Sequence, residues 1–301
     1  MNIPLTLLLS LAATLGGGVA KKYYTEKELT GISAGFVFNA VSCLTATLVL
    51  LCWGSFGQAS AFTVLLGVLF GAVTAFQGIA NIAALQAGPM SYTSVIISFS
   101  TLISALSGVA FFGETIGWIQ IVGIAMMLAS FVLAIKKERD EKKANFKWLV
   151  LCLLTFAATG AIGIMQKVHQ SSAYRDELNA FLIIAFISSA LFCTAFAVLL
   201  KKRVDRVAHT KERLSKSKKK FWRLLGIMLA SGACMAVNNK FNLYLSGVMD
   251  SAVFFPVVNG GGLILTTLAA VIIFGEKLSK KQWIGVALGI ASVIFLCDPF
   301  A

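Results

Sequence analysis

The chain has 301 residues, of which 58% are of hydrophobic type and only 13% are charged, with a mean hydropathy of +0.85. A globular domain carries about 25% charged residues, so this composition excludes a disordered or collagen-like chain and leaves too little polar surface for a water-soluble enzyme. The net charge of +13 would point to nucleic acid in a soluble protein, but here the positions of the charges carry the information.

Ten apolar stretches run along the chain, at approximately 3–20, 30–53, 62–85, 91–112, 115–135, 148–168, 178–201, 222–246, 250–274 and 280–297. Each approaches the roughly 20 residues that a helix needs to cross about 30 Å of hydrocarbon. None shows the apolar–polar alternation of a membrane barrel strand. The first span has no basic segment before it, and Gly16–Gly17–Gly18 runs directly into Lys21–Lys22. It therefore reads as a retained helix rather than a cleaved signal. All six cysteines fall inside spans without C-x-x-C spacing and read as small apolar filler. Only His169 and His209 exist, so no metal site or cofactor is expected. No phosphate-binding G-x-x-x-x-G-K-[ST] loop is present either.

With ten spans both termini lie on one side. The loops 21–29, 136–147, 201–223 and 275–281 share the other side and hold 23 of the 26 basic residues. Arg175 stands alone on the terminus side, while Lys167 and Lys240 lie within spans. Basic loops resist translocation, which places them in the cytoplasm and both termini outside. Compact loops without a targeting segment suit a bacterial inner membrane. The run Lys216–Ser217–Lys218–Lys219–Lys220 reads as a topology determinant. It lacks the interleaved aromatics of a nucleic-acid surface, so the expected partners are the lipid bilayer and a small-molecule substrate. Nothing in the sequence sets the oligomeric state, and a monomer suffices.

The chain also repeats itself. At an offset of 162 residues, Gly67–Leu133 overlays Leu229–Phe295 without gaps. Phe112–Gly113–Glu114 falls on Phe274–Gly275–Glu276, followed by Gln120/Gln282, Gly123/Gly285, Ala125/Ala287, Ala129/Ala291 and Ser130/Ser292. At an offset of 145, Ala12–Ala13–Thr14 falls on Ala157–Ala158–Thr159, with Gly18/Gly163 and Lys22/Lys167. Five spans per copy is an odd number, so the second copy enters the membrane inverted. The expected architecture is an all-α integral membrane protein of ten transmembrane helices in two inverted five-helix repeats. Residues 1–135 form the first repeat, 136–147 a basic connecting loop, and 148–301 the second repeat with its basic loop 201–223. Inverted repeats support alternating access to a site near the midplane.

Five plus five helices, with Gly113–Glu114 and Gly275–Glu276 between the fourth and fifth of each half, resemble the drug/metabolite transporter superfamily. The small-residue fifth helices, Gly123–Ile124–Ala125 and Gly285–Val286–Ala287, resemble its EamA-type domains. The resemblance covers the whole chain and implies a central cavity lined by the first four helices of each half, with the fifth helices peripheral. Many relatives keep their termini in the cytoplasm, opposite to the orientation the charges favour here.

Candidate substrate contacts follow from polar groups inside lipid, which face the protein interior or a wet cavity. The third span carries Gly67, Gly71, Thr74, Gly78 and Asn81 at helical spacing, with Gln77 beside them. That stripe fits close helix packing or cavity lining. In the eighth span, Asn238–Asn239–Lys240–Phe241–Asn242 places Lys240 opposite Gly78. A lysine at a helix centre costs about 2.5–3.5 kcal/mol, so Lys240 reads either as a substrate contact or as a side chain that snorkels to the interface. Thr14, Thr159, Ser98 and Asn259 complete the candidate set. Pro256 with Gly260, Gly261 and Gly262 marks the ninth span as the candidate for a broken or kinked helix. The fourth span has no internal proline and presents Ser91, Ser94, Ser98 and Thr101 on one face. Glu114 and Glu276 read as turn residues, and Gln166 and Lys167 as interface anchors.

No carboxylate falls inside a span, so a proton/organic-cation antiporter lacks its usual binding group. The leading reading is a secondary transporter (exporter, exchanger or facilitator) of a small polar anionic or zwitterionic metabolite such as an amino acid. The alternative is a flippase for a lipid-linked or phosphorylated substrate. Multidrug efflux, a membrane scaffold and an enzyme fit less well, the last because no catalytic cluster is embedded.

Overall fold

A computed structural model describes residues 2–28, 32–54, 56–134, 144–204, 218–275 and 277–297. Among these residues every regular element is helical. The α-helices are α1 (Ile3–Glu28), α2 (Ile32–Trp53), α3 (Ala61–Ala87), α4 (Met90–Ser98), α5 (Thr101–Phe112), α6 (Trp118–Leu133), α7 (Phe146–Gln170), α8 (Leu178–Val204), α9 (Lys218–Val248), α10 (Ser251–Phe274) and α11 (Lys280–Cys297). A short 3₁₀ turn, Arg175–Glu177, precedes α8. Nine stretches among the described residues are long and apolar enough to cross a bilayer. The tenth expected span is α6, whose 16 residues measure about 24 Å. The chain is an all-α integral membrane protein.

The expected fourth span is two helices. At Phe99–Ser100 the backbone stays right-handed, but the bonding tightens to i→i+3, with Ser100 N donating to Ile97 O, Leu102 N to Phe99 O and Ile103 N to Ser100 O. Such a 3₁₀ insert inside a helix is a point of local weakness. By contrast, α10 is one continuous helix with Pro256 inside it, whereas the fourth span is interrupted. The repeated Phe-Gly-Glu motif has a local cause. Gly113 and Gly275 both sit at φ 67°, the left-handed conformation that closes a helix and suits glycine. After the first, Glu114 N–H returns to Gly108 O at 3.1 Å.

The chain divides into two compact units. One comprises residues 1–11, 76–175 and 241–301, and the other residues 12–75 and 176–240. In the second unit α2 packs along α8, burying Phe36, Cys43, Ala46 and Leu50 with Phe181, Leu182, Ala185 and Phe186. Small residues let the backbones approach. A Cβ on Gly71 would overlap the Ala185 carbonyl and the Ser188–Ser189 backbone region, and one on Gly232 would meet the Ser42 carbonyl and Thr45.

In the first unit α6 packs along α11. Gly123 receives Leu296 and Gly285 receives Leu133, so each helix offers a glycine to a leucine of the other. Ser130 Oγ also donates to Gly285 O at 2.7 Å. Ile124, Met127, Phe131, Ala252, Val257 and Leu296 form the adjoining core of α6, α10 and α11.

These glycines make a sharp contrast testable by thermal unfolding in detergent. Gly71→Ala meets backbone and should cost about 1–3 kcal/mol through overpacking. Gly226→Ala in α9 meets nothing within 4 Å and should be neutral or stabilise by about 0.5–1 kcal/mol. Equal melting temperatures for the two variants would contradict the packing described.

Candidate functional site

The candidate residues fall in both units. In the unit of residues 12–75 and 176–240, Lys240 is half-buried on α9. Its Nζ lies 4.4 Å from the ring centroid of Trp53, the last residue of α2. The aliphatic stem thus carries the ammonium to the ring of the residue that ends α2. The ring face supplies cation–π stabilisation of about 0.5–2 kcal/mol. No carboxylate pairs with Lys240 among the described residues. Asn239 Nδ2 donates to Met235 O at 2.9 Å, one turn back on its own helix. Asn238 and Thr14 are half-buried in this unit.

The third-span stripe splits in function. Gly67 and Gly71 press against α8, in contact range of Phe181 O and Ala185 O, which is packing. Thr74 Oγ1 is buried without a hydrogen-bond partner. Further along the same helix, in the other unit, Gln77 Nε2 donates to Thr159 Oγ1 at 3.3 Å, and Thr159 Oγ1 donates to Thr155 O at 2.7 Å. Two candidates from different helices therefore meet directly. Asn81 is half-buried.

Also in the unit of residues 1–11, 76–175 and 241–301, Ser10 Oγ donates to Asn242 Oδ1. Asn259 is exposed, and its Nδ2 donates to Thr101 Oγ1 at 3.1 Å, joining α10 to the first residue of α5. Ser98 Oγ returns to Ser94 O at 2.9 Å. Pro256 is buried, and the glycines after it serve packing, with Gly260 against Met127 and Gly261 against Leu11. Gly262 is buried as well. Glu276 lies outside the described residues.

The strongest electrostatic feature joins two residues that sequence reasoning kept apart. Lys167, at the end of α7, is not an interface anchor. It is buried, and its Nζ lies 2.6 Å from Glu114 Oε1, with side-chain exposures of 8% and 10%. Lys167 Nζ also donates to Met249 O at 3.0 Å. Glu114 Oε2 accepts from Ser251 N–H at 2.7 Å, and Oε1 accepts from Ser251 Oγ at 3.2 Å. The carboxylate thus caps the N-terminus of α10, where unpaired amides and the helix dipole favour negative charge. Glu114 does fold its turn, but as the centre of a cluster of four residues, with Lys167, Met249 and Ser251. The available signal was a lysine inside one span and a glutamate after a glycine cap, 53 residues apart. Nothing in their spacing requires them to meet.

The family model of the EamA-like transporter family matches residues 3–136. An uncharacterized protein of Haemophilus influenzae is 24% identical over 205 residues, covering 65% of this chain and 62% of that protein's length. The Spermidine export protein MdtI of Shigella dysenteriae serotype 1 is 30% identical over 76 residues, which is 25% of this chain and 69% of that one. A solved crystal structure aligns with a TM-score of 0.72 at 14% identity, covering 97% of this chain and 98% of the other; that likeness is one of fold alone. A helical membrane protein carrying these matches is a transporter by class. The chain belongs to the EamA-like transporter family, within the drug/metabolite transporter superfamily.

Removing one partner of a buried ion pair strands the other charge and typically costs about 3–5 kcal/mol. Glu114→Gln and Lys167→Met should therefore each lower the melting temperature in detergent. The double variant should lose less than the sum, with a coupling energy of about 1–3 kcal/mol. Strict additivity would show that the two charges do not act on one another.

Proposed function

We propose that the chain is a secondary transporter of a small polar metabolite bearing a carboxylate or phosphate, working by alternating access between two inverted five-helix repeats. The observation that carries this reading is Lys240: a half-buried cation inside a span, held by an aromatic face rather than by a carboxylate. A cation–π partner leaves the ammonium's donors able to bind an anion, and a charge-assisted hydrogen bond is about twice as strong as a neutral one. Asn238 and Asn239 on the same helix and Thr14, all in the unit that holds Lys240, supply polar contacts for the rest of the substrate in this reading.

A second reading has its own support. A relative named as a spermidine exporter matches 76 residues, and polyamines are cations. Against it, the buried carboxylate Glu114 is already neutralised by Lys167 and offers no net negative charge to a polyamine. The anionic reading is therefore preferred. The orientation proposed is the one set by the basic loops, with both termini outside the cytoplasm in a bacterial inner membrane.

The test is uptake into proteoliposomes from a pooled metabolite mixture that includes amino acids, organic acids, sugar phosphates and spermidine, read by mass spectrometry. Wild type should enrich an anion or zwitterion. Lys240→Gln should reduce that enrichment about tenfold or more, the equivalent of one charge-assisted hydrogen bond. Enrichment of spermidine, unaffected by the substitution, would overturn the charge assignment in favour of the second reading.

A further inference from the structure

Helix α5 has an unusual set of boundary conditions. At its start lies the Phe99–Ser100 turn, where Ser100, Leu102 and Ile103 each donate to the carbonyl three residues back. At its end Gly113 terminates it in the left-handed conformation, and Glu114 immediately enters the buried cluster with Lys167 and Ser251. Between these ends α5 is pressed tightly on α7. Ser104 is 3% exposed and donates to Gly160 O at 3.3 Å. Gly160 accommodates Ile103, and Gly163 accommodates Ser104, so neither position leaves room for a Cβ.

We propose that α5 is a gate of the transporter, turning about Phe99–Ser100, and that the Glu114–Lys167–Ser251 cluster is the latch that holds it closed against α7 and α10. A soft 3₁₀ insert absorbs a change of direction at less cost than a regular helix. The latch is polar and multicentred, so breaking one ion pair releases α5, the end of α7 and the start of α10 together. Packed helices move between discrete arrangements rather than deforming continuously. The glycine-smooth face of α7 lets α5 separate without unthreading interlocked side chains.

Two further observations fit a latch better than a static staple. Gly108, one and a half turns before Glu114, has no side chain, and a Cβ there would overlap the Glu114 carboxylate and crowd Ser251. The carboxylate therefore occupies a notch that only glycine leaves open. In addition, the same residue types recur in the sequence at the positions matched by the repeat, Lys22 for Lys167 and Glu276 for Glu114.

The inference rests on the family's transport function but not on the choice of substrate, so its test needs no substrate. Ser104→Cys would be placed in a background in which Cys43 is the sole remaining native cysteine. Both thiols are then followed in proteoliposomes with a membrane-impermeant maleimide. Cys43, buried in the other unit at 2% exposure, reports general loosening. With the latch intact, both thiols should react slowly. Glu114→Gln, Lys167→Met and Gly108→Ala should each raise labelling at position 104 by roughly tenfold or more while Cys43 stays protected, as local opening requires. Gly108→Ala keeps both charges while displacing the carboxylate and crowding Ser251, so it separates release of the latch from loss of a charge. Unchanged labelling at position 104 in all three variants would overturn the proposal. So would parallel increases at both thiols, because the cluster would then be a structural staple.

Discussion

Inside hydrocarbon no water completes a hydrogen bond that the protein leaves open, so every polar group must find its partner within the fold. Among the described residues many hydroxyls meet that demand locally. Thr45, Thr47, Thr93, Thr155, Thr194 and Thr267 each donate to the carbonyl four residues back. This back-bonding lets a helix carry threonine through the bilayer while showing its neighbours an apolar surface. Charged and carboxamide groups that reach beyond their own helix determine where helices are tied to one another. Lys167 and Glu114 tie α7 to the end of α5 and the start of α10. Gln77 ties α3 to Thr159 of α7, and Asn259 ties α10 to Thr101 of α5.

Without a hydrophobic force between helices in lipid, close approach depends on small residues. The two units use this device at their main contacts. Gly71 and Gly232 admit backbone carbonyls in one, while Gly123 and Gly285 admit leucines in the other. Strong apolar packing along α2–α8 and α6–α11 supplies rigid bodies, and the polar ties are few and specific. A transporter needs this division. Its rigid pieces must survive a change of state, whereas the contacts that alter must be discrete enough to break and re-form.

The charge distribution also gives the two lysines within the spans, Lys167 and Lys240, different characters. Lys167 is consumed by a carboxylate and a carbonyl, so its charge serves the architecture. Lys240 rests on the Trp53 ring, which stabilises a cation without using its hydrogen-bond donors. In the proposed anionic reading, Lys240 is the group that meets the substrate. The same comparison explains why a buried carboxylate does not by itself make this chain a cation carrier.

The class of the fold was legible in the sequence because lipid imposes length and apolarity on each span separately. A run of about twenty apolar residues is visible without knowing its neighbours. The repeated Phe-Gly-Glu motif was legible for a similar reason, since a left-handed helix cap needs glycine wherever the helix goes. Pairing was not legible. The third-span stripe could be packing or lining, and only the fold assigned Gly67 and Gly71 to α8 and Gln77 to Thr159. The break in the fourth span escaped because neither proline nor glycine marks it, and serine-rich helix bends only where its surroundings favour the tighter turn. Lys167 and Glu114 each read as the end of a helix, and at that level both readings hold. Their contact depends on the packing of α5, α7 and α10 over one another, which no local pattern encodes. The sequence by itself determined that the chain enters the membrane and where its apolar spans lie. The tertiary structure decided which buried charges cancel, because cancellation depends on distance in space rather than distance along the chain.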